Sequence, residues 1–332
     1  MKVVAAVDKF RGTASAAEVA NAIAQACWEA GHECVEVPLA DGGEGLLEAL
    51  GGANRTTRVT GPLGDPIEAG WRLDRRTAVI EMALASGLAL AGHAAGNRPL
   101  DATTAGTGQL IDAALRAGAT RIIVGLGGSA TTDGGLGALQ EISTPARLRG
   151  VELLVACDVT TPFTEAAVVF GPQKGASPAQ VELLTGRLER LAQQYAADHG
   201  VDVRAIPGSG AAGGLAGGLA ALGGKLVAGL DLVADELGLH DALEDADFVI
   251  TGEGHLDAPS FAGKVVGGVA RLAGDAGLPV AAVVGVADPD VADLLPTYAI
   301  AELFGIERAM AEPLWCIERA AATALADAAR AS

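Results

Sequence analysis

Short apolar runs that break off at glycine or an acidic residue, each followed by helically spaced apolar positions, set the rhythm of this chain. The run at 3–7 stops at Asp8-Lys9-Phe10-Arg11-Gly12-Thr13 and gives way to a helix from about Ser15 to Ala30. There Ser15 caps the helix and Glu18 completes a capping box. The run at 34–39 leads into Asp41-Gly42-Gly43-Glu44-Gly45 and another helix. The run at 122–124 ends in the glycine-rich stretch 125–137, with a helical pattern from near Leu136. Such βα units predict parallel strands whose C-terminal ends carry the ligand-binding loops.

From Thr56 the pattern changes to short alternating runs at 57–60 and 67–73, joined by Gly-Pro-Leu-Gly-Asp-Pro. A hairpin here implies a mixed sheet and a second domain. A strand at 77–83 and helix signals at 97–117 continue it. A strand at 150–159 ends in Ala156-Cys157-Asp158, and Phe170-Gly171-Pro172-Gln173-Lys174-Gly175 forms a tight lysine-bearing loop. The helix after that loop starts with Ser177-Pro178, a cap followed by proline in the first turn. The last third returns to the opening style. A strand at 247–251 enters the loop Gly252-Glu253-Gly254-His255-Leu256-Asp257, and Gly263-Lys264 opens a helix to about Ala276. Runs at 280–285 and 299–304 read as strands, and the chain ends in an alanine-rich helix.

Composition sharpens this α/β picture. Aromatics make up only 3% of the 332 residues, so the core is built from Ala, Val, Leu and Ile, which suits helices packed on a parallel sheet. The formal charge of −18 argues against a duplex-binding or anionic-membrane surface, since a duplex binder needs a broad basic face. Any anionic ligand must therefore meet cations concentrated locally, and three of the five lysines, Lys9, Lys174 and Lys264, sit near glycine in otherwise neutral loops. Cys27, Cys34, Cys157 and Cys316 have no metal or disulfide spacing and fit reduced thiols in the cytoplasm. The opening apolar run is too short for a secretion signal and the segment 79–91 too short to span a bilayer, so a soluble cytoplasmic protein is expected.

The candidate chemistry lies in the loops. Asp8 and Asp41 follow two consecutive strands and can share a functional cleft or merely cap helices. The stretch 125–137 offers Gly127 and Gly128 for exposed N–H groups, and Ser129, Thr131, Thr132 and Asp133 for oxygens. Alternatively it is a tight turn capped by Thr132 or Asp133. Arg98 is a carboxylate-binding candidate beside the polar turn at Thr103 and Thr104, although an exposed arginine is the simpler reading. Gly208-Ser209-Gly210-Ala211-Ala212-Gly213 matches G-x-G-x-x-G, but no clear strand precedes it and only Asp231 could serve as a ribose-binding acid. A phosphate-cradling or close-packing helix start is preferred to a dinucleotide fingerprint. No G-x-x-x-x-G-K-[ST] occurs, which excludes a P-loop enzyme. His255 is read as incidental.

Taken in order, Asp8-x-Phe10-x-Gly12, Asp41-Gly-Gly-Glu-Gly45, Thr60-Gly-Pro-Leu-Gly-Asp-Pro66, Gly127-Gly-Ser-Ala-Thr-x-Asp-Gly-Gly135, Ala156-Cys-Asp-Val159, Phe170-Gly-Pro-Gln-Lys-Gly-Ala176, Gly210-Ala-Ala-Gly-Gly-Leu215 and Val249-Ile-Thr-Gly-Glu-Gly254, continuing through Asp257 and Gly263-Lys264, form a specific set. The chain resembles the type-1 glycerate kinase family over nearly its whole length. The resemblance implies ATP-dependent phosphorylation of D-glycerate, usually at the 2-hydroxyl. It implies a Rossmann-like parallel-sheet domain formed by both chain ends, 1–56 and 236–332, with an inserted α/β domain carrying a mixed sheet at 57–235.

Departures from the family are Lys9 for a common serine, Arg11 for a lysine, Thr132 for an asparagine, and a shortened segment between Ile142 and Val151. The arginine fork could clamp a carboxylate through two hydrogen bonds. Phosphoryl transfer asks for charge neutralisation, a base and a carboxylate clamp. Asp8, Asp41, Asp133 and Asp158 are candidates for base and Mg²⁺ roles, with Lys174 in the catalytic set. Lys9, Arg11, Arg98, Ser129 and Thr131 are candidates for binding D-glycerate. Gly127, Gly128, Gly208, Gly210, Gly213, Glu253, Asp257 and Lys264 are candidates for binding ATP. Alternatives are a kinase of another small hydroxy acid or of the 3-hydroxyl, and a non-catalytic ligand-binding protein on the same fold. Oligomeric state is left open.

Overall fold

The computed structural model describes residues 1–261 and 263–331. Among them are eleven strands: β1 (Lys2–Val7), β2 (Glu33–Pro38), β3 (Arg55–Thr60), β4 (Pro66–Asp74), β5 (Thr77–Glu81), β6 (Arg121–Gly125), β7 (Glu152–Ala156), β8 (Lys225–Val227), β9 (Phe248–Leu256), β10 (Val280–Ala287) and β11 (Thr297–Ala299). They form two sheets in an α/β fold, ordered β11-β10-β9-β1-β2 and β3-β4-β5-β6-β7-β8. The chain divides into two compact units, Met1–Asp41 with Leu230–Ser332, and Gly42–Gly229.

Those divisions fall earlier than the expected crossings near Thr56 and Asp235. Residues 42–49 pack with the second unit because the buried Glu81 carboxylate accepts the Gly45 and Leu47 N–H groups at 3.1 and 3.3 Å. Leu46 also lies against Gly125, where an added Cβ would meet its Cδ2 at 2.6 Å.

In the first unit every strand pair is parallel, with Val3 opposite Phe248 across β1 and β9. Strand alternation sends Ala281 and Val283 to one core, shared with Ile23, Ile317 and Leu325 of the helices Ala16–Glu29 and Pro313–Ala331. Ala282 and Val284 enter another core, with Val266 of the helix Val265–Asp275. The Ala16–Glu29 helix starts at the expected capping box, where the Glu18 carboxylate accepts the Ser15 N–H at 2.9 Å and Ser15 Oγ accepts the Glu18 N–H at 3.3 Å.

Two elements change type relative to the sequence reading, and the helix expected over 97–117 shortens to Ala105–Arg116. The expected loop at 252–257 is mostly strand, because β9 runs to Leu256 and keeps pairing with β10, Glu253 opposite Val284 and His255 opposite Val286. Glycines there serve close strand approach, since a Cβ on Gly252 would lie 2.1 Å from Val283 O. The expected strand at 299–304 contributes only its first residue to β11 and then becomes the helix Ile300–Phe304. Short apolar runs do not distinguish the two forms by periodicity.

The second unit contains the expected hairpin, β3 antiparallel to β4 with Val59 opposite Ile67, followed by parallel β5 to β8. Trp71 is buried in this unit and its indole N–H donates to Thr57 Oγ1 at 2.9 Å. The helix Pro178–His199 begins at a second capping box, Ser177 with Gln180, and packs Leu184, Leu188 and Tyr195 around Phe163. The two ends of the unit meet: a Cβ on Gly42 would lie 2.4 Å from the Gly229 Cα. Among the described residues no helix is long and apolar enough to cross a membrane.

Candidate active site

The C-terminal ends of β1, β2 and β9 bring Asp8, Asp41 and Glu253 to one cleft of about 510 Å³ in the first unit. Lys9, Arg11, His255, Asp257 and Lys264 line the same cleft. The Asp8 carboxylate accepts its neighbour's backbone N–H, Lys9 N to Oδ1, at 2.7 Å, with Lys9 Nζ 4.0 Å away. Burial raises the Asp8 carboxyl to about 6 despite the Lys9 and Arg11 charges, and Asp41 adds to the rise. Burial likewise raises Glu253 to about 6 against Ser260 and Lys264, with the Asp8 and Asp257 charges contributing. Glu253 Oε1 is buried and has no hydrogen-bond partner among the described residues.

Asp257 is committed differently. Its Oδ1 accepts the Ser260 hydroxyl at 2.8 Å and the Ser260 N–H at 3.0 Å, with Lys264 Nζ at 3.8 Å. Desolvation opposes ionisation of Asp257, but Ser260 and Lys264 outweigh it and hold the carboxyl below its usual range. His255 Nε2 lies 2.9 Å from Asp288 Oδ1.

A second cleft, of about 320 Å³, lies within the second unit and is lined by Gly127, Gly128, Ser129, Asp158 and Lys174. Lys174 is buried, donating from Nζ to Ser129 Oγ and to the Thr131 carbonyl at 2.7 Å each. Burial lowers its ammonium to about 7, with Asp133 pulling in the opposite direction. Asn97 braces the same place, its Nδ2 donating to the Ala130 and Lys174 carbonyls at 2.9 Å each. Asp158 Oδ1 accepts the Gly229 N–H at 2.8 Å.

Several other candidate residues have partners within the chain or lie away from both clefts. The Asp133 carboxylate is buried, with Oδ2 accepting the Thr104 N–H and hydroxyl at 2.8 Å each and the Gly137 N–H at 3.2 Å. Its Oδ1 accepts the Gly135 N–H at 3.1 Å, so the group fastens the start of the helix Leu136–Glu141 to Thr104. Burial pushes this carboxyl up while the four donors pull it down. Thr131, within the same glycine-rich stretch, is fully buried, and its Oγ1 has no hydrogen-bond partner among the described residues. Arg98 is 59% exposed, lines neither cleft and donates to the Leu63 carbonyl at 3.0 Å.

Gly208, Gly210 and Gly213 each sit where the backbone is closely packed. A Cβ would lie 2.7 Å from Val159 O, 2.4 Å from Pro162 O and 1.9 Å from Thr131 O, respectively. Gly213 also has φ +69°, so Gly213→Ala is expected to cost at least about 3 kcal/mol and to lower Tm by several degrees. Thermal unfolding within a degree of the parent chain would contradict that packing.

Sequence reasoning missed the cleft-lining residues Gly285, Val286, Ile300, Ile306, Ala309 and Met310. No chemical signal marks them, because apolar residues on a short helix, like Gly285 and Val286 near the end of β10, read as core. It also missed Asn97 as a brace, for which the adjacent polar turn was the available signal.

The sequence pattern of the glycerate kinase family matches residues 3–146 and 142–331. A glycerate 2-kinase of Escherichia coli (strain K12) is 41% identical over 331 residues, covering 88% of this chain and 87% of its own. A glycerate kinase of Bacillus subtilis (strain 168) is 40% identical over 325 residues, covering 86% and 85%. A crystal structure from Salmonella typhimurium LT2, described as a glycerate kinase 2, superposes with a TM-score of 0.82 at 38% identity, covering 98% of this chain and 99% of that one. Fold and relatives together define an α/β enzyme of the kinase class. The chain belongs to the glycerate kinase family.

Proposed function

We propose that this enzyme transfers the γ-phosphoryl group of ATP to the 2-hydroxyl of D-glycerate, giving ADP and 2-phosphoglycerate. The observation that carries the reading is the first unit's cleft, which is lined by four carboxylates, Asp8, Asp41, Glu253 and Asp257, and three cations, Lys9, Arg11 and Lys264. Such a transfer is accelerated chiefly by positioning and by charge stabilisation, which this set of groups can supply.

The cleft fits Mg²⁺. Asp8 is raised by burial and by the Asp41 charge, Glu253 by burial and by the Asp8 charge, and Glu253 Oε1 lacks a donor among the described residues, so a hard cation would satisfy both groups. Asp8 and Glu253 would hold the ion together with phosphate oxygens, and it would neutralise charge on the transferring group. Among the described residues no cluster of three or more His, Cys, Asp or Glu side chains forms a metal cage, and Mg²⁺ in kinases is commonly held by one or two carboxylates. Asp41, the remaining carboxylate at the end of β2, is assigned the proton of the attacking hydroxyl. Lys9, Arg11 and Lys264 are assigned to the anionic groups of the substrates. In the second unit Gly127, Gly128, Ser129 and Asp158 line a polar cleft, and Lys174 holds the loop that forms it.

A cytoplasmic enzyme accords with four free cysteines. A second reading, attack by the 3-hydroxyl or by another small hydroxy acid, is favoured by one feature: the family match breaks into two pieces at 142–146, in the stretch leading into the short turn Pro145–Gly150. Incubating the purified chain with ATP, Mg²⁺ and D-glycerate, then assaying the two phosphoglycerates separately, distinguishes the readings. The expected product is 2-phosphoglycerate. Formation of 3-phosphoglycerate alone would overturn the regiochemistry, and no glycerate-dependent ADP would overturn the kinase assignment.

A further inference from the structure

The first unit's cleft has an apolar wall that the chemistry of glycerate does not use. Ile306 and Met310 are 56% and 60% exposed, yet with Ile300 and Ala309 they line the same cleft as Lys9, Arg11 and Lys264. Large apolar side chains left open beside concentrated cations suit a ligand that is flat and apolar at one end and anionic at the other. Glycerate, with three carbons that all bear oxygen, offers no such face.

A second, independent observation lies on the neighbouring strand. β11 pairs with β10 only from Ala282 to Val284, and the Ala282 N–H donates toward this edge, to Pro296 O at 2.8 Å. Strand alternation places the Val286 N–H and C=O on the same edge, two residues beyond the last pair. The chain has by then turned from Ala299 into the helix Ile300–Phe304, so no strand among the described residues covers Val286. Val286 is half-buried and lines the cleft, so its donor and acceptor sit where backbone groups require partners.

Resting on the ATP-dependent reading above, we propose that the purine base of the nucleotide binds on the shelf of Ile306 and Met310, whose floor is the buried Ile300 and Ala309, with its hydrogen-bonding edge against Val286. Adenine presents a ring-nitrogen acceptor beside an amino donor, which complements one N–H and one C=O. The shelf removes the faces of the base from water, and the phosphates extend toward Lys9, Arg11 and Lys264. Ile306 and Met310 are thereby nucleotide-binding residues, and they act on affinity rather than on the chemical step.

Calorimetric titration of the full chain in Mg²⁺ with ADP, N6,N6-dimethyl-ADP and pyrophosphate tests this. Ile306→Ala and Met310→Ala, both at exposed positions, should each weaken ADP about 5- to 10-fold while changing pyrophosphate less than about 2-fold. Dimethylation removes the amino donor and should weaken binding to the parent chain by about 10-fold or more. The proposal is overturned if both variants bind ADP as the parent does, if ADP and pyrophosphate lose affinity equally, or if the dimethylated nucleotide binds as well as ADP. Glycerate-dependent turnover is measured alongside: its absence with normal ADP binding defeats the kinase reading alone, whereas normal turnover with unchanged ADP affinity in the variants defeats the shelf alone.

Discussion

Asp41→Asn is expected to lower kcat by about 10³-fold, the scale of removing a positioned base, and to leave the Mg²⁺ concentration for half-maximal activity unchanged. Asparagine keeps the size of the side chain and its place in the cleft but cannot take the hydroxyl proton. Glu253→Gln should do the reverse, raising the Mg²⁺ requirement by about 10-fold or more, as loss of a charged ligand does. Magnesium titrations of steady-state rate read both effects in one experiment. An Asp41→Asn enzyme within about tenfold of the parent would move the base elsewhere.

Lys174→Met is expected to reduce kcat at least about 100-fold, on the scale of one preorganised electrostatic contact. Methionine matches the length of the side chain but leaves Ser129 Oγ and the Thr131 carbonyl without their donor. The loop that carries Gly127 and Gly128 then loses its direct side-chain tie to the lysine turn and keeps only the Asn97 bridge to the Ala130 and Lys174 carbonyls. Stability gives a separate readout. Burial lowers the folded-state ammonium to about 7 from 10.5, so between those values the unfolded chain binds one more proton than the folded one. The contribution of Lys174 therefore becomes more favourable as pH rises through that window, by about 1.4 kcal/mol per unit, and is least favourable below it. Denaturant unfolding between pH 7 and 9 should show the parent gaining stability relative to Lys174→Met. Parallel pH profiles would mean that the lysine is not desolvated as the structure has it.

What could be read ahead of the structure was mostly local. Ser15 with Glu18, Ser177 followed by proline, and the 60–66 turn each fix their own element through neighbours within a few residues, and each reads directly. The acids and cations at strand ends were legible for the same reason, since Asp8, Asp41 and Glu253 each follow an apolar run. Gly213 was not. Its constraint is the Thr131 carbonyl, far away in sequence, so the G-x-G-x-x-G spacing carries no record of what the backbone approaches. Asp133 is a related case: the glycine loop marks the carboxylate, but its four donors, two of them on Thr104, lie outside what the local pattern records. The shelf at Ile306 and Met310 is silent in sequence because only β11 stopping at Ala299 makes it a wall of a cleft.

The contact between Gly42 and Gly229 bears on the order in which the molecule acquires its structure during synthesis. The first unit cannot finish early, because β1 must wait for β9, whose pairing joins Val3 to Phe248. Bringing such distant segments together through an unstructured chain on the order of 190 residues long costs roughly 5 kcal/mol of loop-closure entropy. The intervening unit is contiguous, however, and once folded it holds its own two ends in touch. The polymer between the halves of the parallel sheet then behaves as a short rigid link, and the entropic barrier to docking β9 beside β1 largely vanishes. The insertion thus acts as an internal template for the unit that it interrupts, and defects in its early assembly are expected to surface as slow completion of a sheet to which it contributes no strand.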